Sequence, residues 1–388
     1  MELLYHGKKE YDDILVNTPV CSFLGEITYK NLLIKGDNLL VLQTLLKEYN
    51  YYNKIDLIYI DPPFSTNNIF TIGNSRVSTI SRSNNDEIAY QDNLQGYKFI
   101  EFIRERLILA RELLSDNGSI YLHIDYKIGH YIKIIMDEIF GAENFRNDIT
   151  RIKCNPKNFE RTAFGNIKDM ILFYSKTKDA IWNNPKVPFN DNDKKKLFSK
   201  IDKNGRAYTT IPLHAPGETK NGVTAQEFKG IKPPVGRHWR CAPSELEELD
   251  NAGLIEWSSN GNPRKIIYAD EKDGKKMQDI WEYKDYQYPQ YPTEKNLELL
   301  KTIISASSKE NSLVMDFFCG SGTTLIAAQE LNRNWIGIDK SEKAINITKE
   351  KINKVSHSLF YSNNYSYLET EEILDENYVN EYNLVNFV

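Results

Sequence analysis

The stretch IDLIYIDPPF, residues 55–64, joins an apolar run directly to a double proline. Residues 55–60 have the length and the apolar content of a buried strand. The two prolines donate no backbone N–H and fix φ, so the strand must end there. Open α/β sheets bind ligands at the carboxyl ends of their strands, which is where Asp61 and Phe64 would then lie. Such a turn is also a common, purely structural end to a strand, and the stretch alone leaves both interpretations open.

A second pattern of strand, turn and helix lies far downstream, at VMDFFCGSGTT, residues 314–324. An apolar run leads to Gly320 and Gly322, a helix-like segment follows, and a short strand then ends on Asp339. This order suits a nucleoside ligand, because glycines allow a close approach to the backbone and an acid accepts hydrogen bonds from ribose hydroxyls. A dinucleotide fingerprint needs a third glycine where this chain has Leu325. The pattern therefore favours a nucleoside cofactor without phosphates, although a plain tight turn stays possible.

The remaining chain alternates between strand-like and helix-like segments on both sides of a long irregular region. Strands are predicted at 31–37, 55–60, 119–124, 169–175, 314–316 and 335–338, and helices at 39–48, 97–114, 127–140 and 325–331. This alternation favours an α/β fold with a doubly wound, mostly parallel sheet.

Together the two motifs resemble those of the amino-group DNA methyltransferases, which act on N6 of adenine or N4 of cytosine. Residues 61–64 match the catalytic tetrapeptide of that family, and residues 316–324 resemble its cofactor-binding motif. A third match, YPTEKN at 291–296, has Asn296 where the family usually has proline. The catalytic motif precedes the cofactor motif, as in the β-class enzymes and in type III modification subunits. The resemblance implies a Rossmann-like methyltransferase fold with an inserted target-recognition region.

The resemblance also implies roles for individual residues. In the catalytic motif Asp61, Pro62, Pro63 and Phe64, the Asp61 carboxylate and the Pro62 carbonyl would accept hydrogen bonds from the amino group, and Phe64 would stack on a flipped-out base. S-adenosyl-L-methionine would be the cofactor, with Asp37 at its adenine, Asp339 at its ribose and Thr293 and Lys295 at its methionine end. The expected cofactor-binding residues are Asp37, Thr293, Lys295, Asp316, Phe318, Gly320, Gly322, Thr323 and Asp339. No metal site is expected.

The middle of the chain interrupts the alternation and carries most of the positive charge. Between residues 151 and 245 nineteen Lys and Arg stand against nine Asp and Glu, although the whole chain has a net charge of -5. Phosphate contacts need local positive charge rather than a basic protein. We interpret this region as the target reader, with contacts to DNA predicted for Arg237, Trp239, Arg240 and Arg264. Each of these side chains serves equally well in packing or on an ordinary surface.

Bulk composition excludes several other classes of protein. A hydrophobic content of 40% and a charged content of 27% are ordinary for a soluble globular protein. The four cysteines are scattered, with no spacing typical of a metal site or a disulfide framework. No apolar run has the length needed to cross a bilayer. These features predict a cytoplasmic protein that binds no membrane.

The chain divides into five predicted segments. They are a lead-in over 1–30, the catalytic half of the methyltransferase domain over 31–175, the target-recognition region over 176–285 with a start as early as 155, the cofactor-binding half over 286–355, and an acidic tail over 356–388.

The predicted function is site-specific methylation of N6 of adenine in double-stranded DNA, as part of a bacterial restriction-modification system. The expected assembly is a homodimer, with a restriction endonuclease as a further partner. N4-cytosine methylation is the first alternative, but cytosine enzymes more often have Ser where this chain has Asp61. More distant alternatives are an RNA or protein-glutamine methyltransferase and a non-catalytic DNA-binding specificity subunit.

Overall fold

The structure, a computed structural model, describes residues 2–63, 96–156, 162–286, 294–356 and 364–371, together with the backbone of three short strands within 69–91. The chain forms two compact units. The main unit comprises Met1–Asn184 and Gln278–Val388, and the inserted unit comprises Pro185–Met277. The inserted unit lies inside the range 176–285 that the sequence predicts for the target-recognition region.

Strands occur in both units. In chain order they are β1 (Phe23–Leu24), β2 (Asn31–Lys35), β3 (Ile55–Ile60), β4 (Ile69–Ile72), β5 (Val77–Ser78), β6 (Glu87–Gln91), β7 (Leu114–Ile124), β8 (Phe145–Ile152), β9 (Lys168–Ser175), β10 (Lys186–Val187), β11 (Lys200–Ile201), β12 (Ala207–Pro212), β13 (His214–Pro216), β14 (Arg237–Trp239), β15 (Ile255–Trp257), β16 (Pro263–Tyr268), β17 (Lys275–Lys276), β18 (Ile280–Glu282), β19 (Leu313–Asp316), β20 (Asn334–Asp339) and β21 (Tyr365–Thr370).

The α-helices of the described residues are also numbered in chain order. They are α1 (Tyr11–Asn17), α2 (Asn38–Lys47), α3 (Tyr97–Leu113), α4 (Gly129–Phe140), α5 (Asp191–Leu197), α6 (Pro243–Asn251), α7 (Leu297–Ser307), α8 (Thr323–Glu330) and α9 (Glu342–Ser356).

One large sheet organises the main unit, with the strand order β1-β21-β2-β20-β19-β3-β7-β9-β8-β18. The run from β21 to β7 is parallel throughout, and β18 is parallel to β8. The pairs β1–β21, β7–β9 and β8–β9 are antiparallel. The predicted doubly wound, mostly parallel sheet is therefore confirmed, with antiparallel strands toward its two edges.

Helices cover both faces of this sheet, which explains why its central strands read as continuous apolar runs. On β3, Ile58 and Ile60 pack in the same core as α2, α3 and α4. Side chains alternate along a strand, so Tyr59 points to the other face. Its neighbour in register, Tyr121, hydrogen-bonds Ser307 of α7 at 2.7 Å. Two helical layers thus hold the strand that carries the Asp-Pro-Pro turn.

Two predicted segments differ from what the structure shows. The lead-in over 1–30 contains the helix α1 and the strand β1, and α1 packs with Ile14 buried. The acidic tail over 356–388 contains β21, which lies between β1 and β2 in the main sheet. In β21, Ser366 and Leu368 are buried, so this stretch is part of the core rather than a free tail. Both strands are short and pair with segments remote in sequence, so no local pattern marks them.

The inserted unit has its own small sheets and its own core. A sheet of the order β11-β12-β16-β15 is antiparallel, and β13 pairs with β14. The strands β15 and β16 form an antiparallel hairpin, with residues 258–262 as its turn. The core of this unit contains Leu213, Phe228, Trp239 and Leu246. Within the described part of the whole chain, we find no helix with the length and hydropathy of a membrane span.

Candidate active site

Four acidic residues are brought to one edge of the main sheet by its parallel strands. The strands β2, β20, β19 and β3 are consecutive neighbours, so their carboxyl ends lie side by side. Asp61 follows β3, Asp316 ends β19, Asp339 ends β20, and Asp37 lies two residues beyond β2. The carboxyl edge is where open α/β sheets bind their ligands. The two sequence motifs thus meet although they are far apart in the chain.

Asp61 has one anchored and one unpartnered carboxylate oxygen. Its Oδ2 lies 2.6 Å from the ammonium of Lys295, and both side chains are largely buried. Its Oδ1 is a buried atom for which the described residues supply no hydrogen-bond donor. A buried acceptor without a donor costs about 1–3 kcal/mol, so such atoms are rare outside functional sites. The unpartnered oxygen can accept a hydrogen bond from a bound ligand.

Lys295 lies at the catalytic motif rather than only at the predicted methionine end of the cofactor. It precedes α7 by two residues and is 9% exposed, and its ammonium faces Asp61. This contact fixes the orientation of the Asp61 carboxylate. Pro62 is buried and Pro63 is half-buried. The predicted site residues Phe64 and Thr293 lie outside the described residues.

The glycine turn between β19 and α8 requires glycine for reasons of backbone geometry. Gly320 and Gly322 both have positive φ, of 50° and 75°. A Cβ atom at Gly322 would lie 2.6 Å from Cγ2 of Thr348, on α9. Thr348 in turn donates a hydrogen bond to the carbonyl of Gly320 at 3.0 Å. A side chain at Gly322 would thus collide with the protein itself, whereas the sequence suggested that the glycines leave room for a ligand.

Asp316 holds this turn in place from inside the protein. Its Oδ2 accepts a hydrogen bond from the Thr324 hydroxyl at 2.5 Å, and its Oδ1 accepts one from the Phe318 amide at 3.0 Å. Burial raises the pKa of Asp316 to about 7, although both hydrogen bonds act to lower it. Asp316 is only 2% exposed. It therefore acts on the conformation of the glycine turn, and its predicted place in the cofactor site stays a prediction.

Asp339 and Asp37 are tied to the backbone around the same turn. Asp339 accepts hydrogen bonds from the amides of Gly320 and Ser341, both at 2.8 Å, and burial raises the pKa of its carboxyl. Asp37 caps α2 by accepting a hydrogen bond from the Leu39 amide at 2.9 Å. Both carboxylates keep further lone pairs for a ligand. Their positions agree with the predicted contacts to ribose and adenine, which stay predictions.

Arg106 is a positioning residue that the sequence interpretation missed. It is 1% exposed on α3, and its Nε donates to Oδ1 of Asn38 at 2.5 Å. Asn38 donates to the carbonyl of Phe317 at 2.7 Å, and the Arg106 guanidinium lies 3.5 Å from Asp37. The chain of contacts joins the end of β2 to the glycine turn. The sequence offered little signal, because Arg106 is one of three consecutive charged residues, 104–106, in α3.

A buried hydrogen-bond network lies across the strands next to Asp61. His123 on β7 contacts the Tyr59 hydroxyl at 2.9 Å and Asp169 at 3.2 Å. Burial and the nearby charge of Lys295 lower the pKa of His123. Asp169 also pairs with Lys153 at 2.6 Å. His123 is thus held within a buried network. No group of three metal-binding side chains occurs among the described residues.

The residues at this edge fit S-adenosylmethionine better than a phosphate-bearing cofactor. Two carboxylates, Asp37 and Asp339, flank the glycine turn, and Phe318 contributes an aromatic surface 6.1 Å from Phe102. Carboxylates accept hydrogen bonds from a ribose diol and an adenine amino group, and they favour a positively charged ligand. Thr323, which begins α8, is 9% exposed and adjoins the turn. The chemistry of this donor set therefore matches a positively charged nucleoside.

Two of the four side chains predicted to contact DNA have packing roles within the inserted unit. Trp239 is fully buried in the unit's core, and its Nε1 donates to the carbonyl of Gln226 at 2.9 Å. It cannot reach a base without unfolding the unit. Arg264 on β16 is half-buried and braces β12, donating twice to Thr210 at 2.8 Å. The packing of these side chains, rather than nucleic acid, accounts for their positions.

Arg237 and Arg240 are both exposed and remain candidates for phosphate contacts. The Arg237 guanidinium lies 3.1 Å from Nδ1 of His214, and Arg240 donates to the carbonyl of Pro212 at 3.0 Å. The pKa of His214 is lowered by burial and by the charges of Arg237, Arg240 and Arg264. The guanidinium groups of Arg237, Arg240 and Arg264 therefore lie close enough to His214 to lower its pKa. We call these four residues the His214 patch.

Comparison with known proteins finds a family and several relatives of this chain. A protein-family model described as DNA methylase matches residues 55–350. The chain is 44% identical over 317 residues to the type II methyltransferase M.EcaI of Enterobacter cloacae, covering 80% of this chain and 67% of that one. It is 28% identical over 432 residues to the type III restriction-modification enzyme EcoPI Mod subunit of Escherichia phage P1, covering 91% and 65%. The corresponding StyLTI Mod subunit of Salmonella typhimurium is 29% identical over 346 residues, covering 78% and 50%.

The matched range runs from β3 to α9 and includes Asp61, Lys295 and the glycine turn. The chain spans about two thirds of the length of the first two relatives and half of the third. The family match extends over most of the chain, and the two motifs meet at one edge of the sheet. The chain therefore belongs to the DNA methylase family.

Proposed function

We propose that this DNA methyltransferase transfers a methyl group from S-adenosyl-L-methionine to the N6 amino group of an adenine in double-stranded DNA. The observation that carries the proposal is the state of Asp61, with Oδ2 held by Lys295 at 2.6 Å and Oδ1 buried with no hydrogen-bond donor among the described residues. A carboxylate held in this way is prepared to receive one N–H of an amino group.

Methyl transfer to an exocyclic amino group requires hydrogen-bond acceptors rather than a strong base. The lone pair of an exocyclic amino group is delocalised into the ring, so the nitrogen is a poor nucleophile. Oδ1 of Asp61 and the carbonyl of Pro62 would accept the two N–H groups and favour a tetrahedral nitrogen. Lys295 keeps the carboxylate in place, so most of the rate enhancement is positioning and electrostatics. S-adenosylmethionine, when bound, supplies the electrophilic methyl group.

The target base has to leave the duplex to reach Asp61, because N6 is paired and stacked inside it. The double proline keeps the Asp61 turn from adapting to a base that stays in the helix. Phe64, predicted to stack on the extruded base, belongs to the same proposal. N4-cytosine methylation is the second candidate, since the same two acceptors serve that amino group.

Sequencing of modified bases distinguishes these two candidates. DNA from cells that express the protein should carry N6-methyladenine at one short sequence motif, and DNA from cells that express the Asp61→Ala variant should not. The same motif with N4-methylcytosine would replace the adenine proposal by the cytosine one. Unmodified DNA in both strains would contradict the proposed function as a whole.

We place target recognition in the inserted unit, Pro185–Met277. The support is the His214 patch, where the exposed Arg237 and Arg240 lie close together on and just after β14. Guanidinium groups bind phosphate oxygens and the edges of guanine. The acceptors around Asp61 accommodate any adenine. Recognition of a particular DNA sequence therefore requires a second surface of the protein.

Charge reversal at Arg237→Glu and Arg240→Glu together should weaken DNA binding and leave S-adenosylmethionine binding unchanged. Each lost phosphate contact lowers the slope of log K against log salt by about 0.9, so the slope should fall by about 2. Titrations of labelled duplex at several salt concentrations measure both quantities. The matched control is Lys195→Glu with Lys196→Glu, two exposed residues of α5 in the same unit. Equal effects of the two double variants would mean that net charge, not the patch, governs binding.

The wider setting is part of the same proposal. The similarity to type II methyltransferases and type III Mod subunits supports a cytoplasmic role in a restriction-modification system, with a cognate endonuclease as partner. The β-class motif order supports a homodimer. Light scattering at micromolar concentration would report the mass of one chain or of two.

A further inference from the structure

Phe164 is the most exposed phenylalanine of the described residues. Its side chain is 99% exposed, whereas every other described phenylalanine is buried or half-buried. Single exposed apolar residues are common on protein surfaces, so exposure alone does not indicate a function. What distinguishes Phe164 from other exposed residues is its position, at the sheet edge where Asp61 lies.

Strand register places Phe164 in a connection at the same sheet edge as Asp61. Ile60, at the end of β3, is paired with Leu122 of the parallel strand β7. The strand β9 runs antiparallel to β7, with Met170 opposite Ile124, so β9 begins where β7 ends. The strand β8 pairs with β9 and ends opposite its first residue, Lys168. The described parts of the connection from β8 to β9, residues 153–156 and 162–167, therefore adjoin the sheet on the catalytic side.

The spacing of strands brings this connection within reach of the target base. β9 and β8 are the second and third strands from β3 along the sheet. Adjacent strands are about 4.8 Å apart, so the connection starts roughly 10–15 Å to the side of the catalytic strand. That distance is comparable to the radius of a DNA duplex.

We infer that Phe164 enters the base stack of the DNA and fills the position from which the target base has been extruded. The inference rests on the proposed function, because an enzyme that extrudes a base leaves a gap in the duplex. The bases on both sides of the gap lose a stacking partner. An apolar side chain inserted into the gap replaces part of that contact. A fully exposed aromatic ring on the catalytic edge has the chemistry for this task.

Phe164→Ala should reduce kcat/KM on a duplex with a normally paired target adenine by about ten- to a hundredfold, since extrusion then lacks its compensating stack. The decisive measurement uses the same duplex with an abasic site opposite the target adenine. That adenine is already unpaired, so Phe164→Ala should recover to within a few-fold of the wild type. Fluorescence of 2-aminopurine at the target position should rise on binding of the wild type and rise less with the variant.

Two further variants control this experiment. Phe164→Trp keeps a stacking ring and should retain most of the activity on the paired duplex. Tyr52→Ala removes another exposed aromatic ring, 55% exposed and just before β3 at the opposite edge of the sheet, and should behave as the wild type. Calorimetry with S-adenosylmethionine checks that each variant is folded.

The outcomes separate this inference from the proposed function. If the wild type methylates adenine and Phe164→Ala matches it on both duplexes, Phe164 is not a wedge. Equal loss on the paired and the abasic duplex would assign it to general DNA binding instead. A change in the mass of the assembly in light scattering would assign it to an interface between copies. If the wild type itself leaves adenine unmodified, the proposed function fails first.

Discussion

Replacement of Asp61 by alanine is expected to lower the rate of methyl transfer by about 10²–10³, the loss typical of removing one preorganised polar group from a reacting centre. The carboxylate that accepts from the amino group is lost, together with its contact to Lys295. Cofactor affinity should change little, because the glycine turn is held by Asp316, Thr324 and Thr348. Transfer of labelled methyl groups to duplex DNA measures the rate, and calorimetry measures the affinity.

Asp61→Asn is the matched control for this prediction. It keeps the size of the side chain and one acceptor oxygen but removes the charge that faces Lys295. Its activity should lie between those of the wild type and the alanine variant. An alanine variant that retains more than a few per cent of the wild-type rate would contradict the role assigned to Asp61.

Replacement of Trp239 by alanine is expected to unfold the inserted unit selectively. Trp239 is fully buried against Leu213, Phe228 and Leu246, and its indole N–H satisfies the carbonyl of Gln226. Truncation of a buried Trp or Phe costs about 3–5 kcal/mol of the free energy of unfolding, much of the stability of a unit this small. Sequence-specific DNA binding should be lost, and S-adenosylmethionine binding should remain. Limited proteolysis should cut the variant within Pro185–Met277.

Trp257→Ala is the control in the same unit. Trp257 is 39% exposed and stacks on Phe228 with ring centroids 5.9 Å apart, so its truncation should cost much less. A Trp239→Ala variant that resists proteolysis but no longer selects its DNA site would support the original prediction of a base contact. Comparison of the two variants therefore tests whether Trp239 is a core residue or a base contact.

Some of the candidate site could be predicted because local chemistry decides it. An apolar strand that runs into two prolines has to stop, and a glycine pair between a strand and a helix has to turn. Asp61, Asp316 and Asp339 then reach one edge, because strands of a parallel sheet all end on the same side. These features depend on residues that are close in sequence, which a pattern can capture.

Other features could not be predicted because they depend on contacts between distant parts of the chain. The strand β21 pairs with β2 across more than three hundred residues, and its six residues carry no pattern of their own. Arg106 and Asn38 are joined only when α3 packs beside α2. Trp239 and Arg264 were predicted to contact DNA, but both side chains pack within the inserted unit. The direction in which a side chain points cannot be read from composition.

The amino-acid sequence by itself determined the α/β class, the strand that ends at Asp61, the glycine turn and the family to which the chain belongs. The first three follow from backbone limits on proline and glycine or from apolar runs that must be buried, and the family follows from the resemblance of the sequence motifs. Only the tertiary structure decided that Lys295 holds Asp61, that Trp239 is core and Arg237 is surface, and that Phe164 stands exposed on the catalytic edge. These properties arise from packing between segments far apart in the chain, where burial and hydrogen-bond geometry select among positions that the residue types alone leave equivalent.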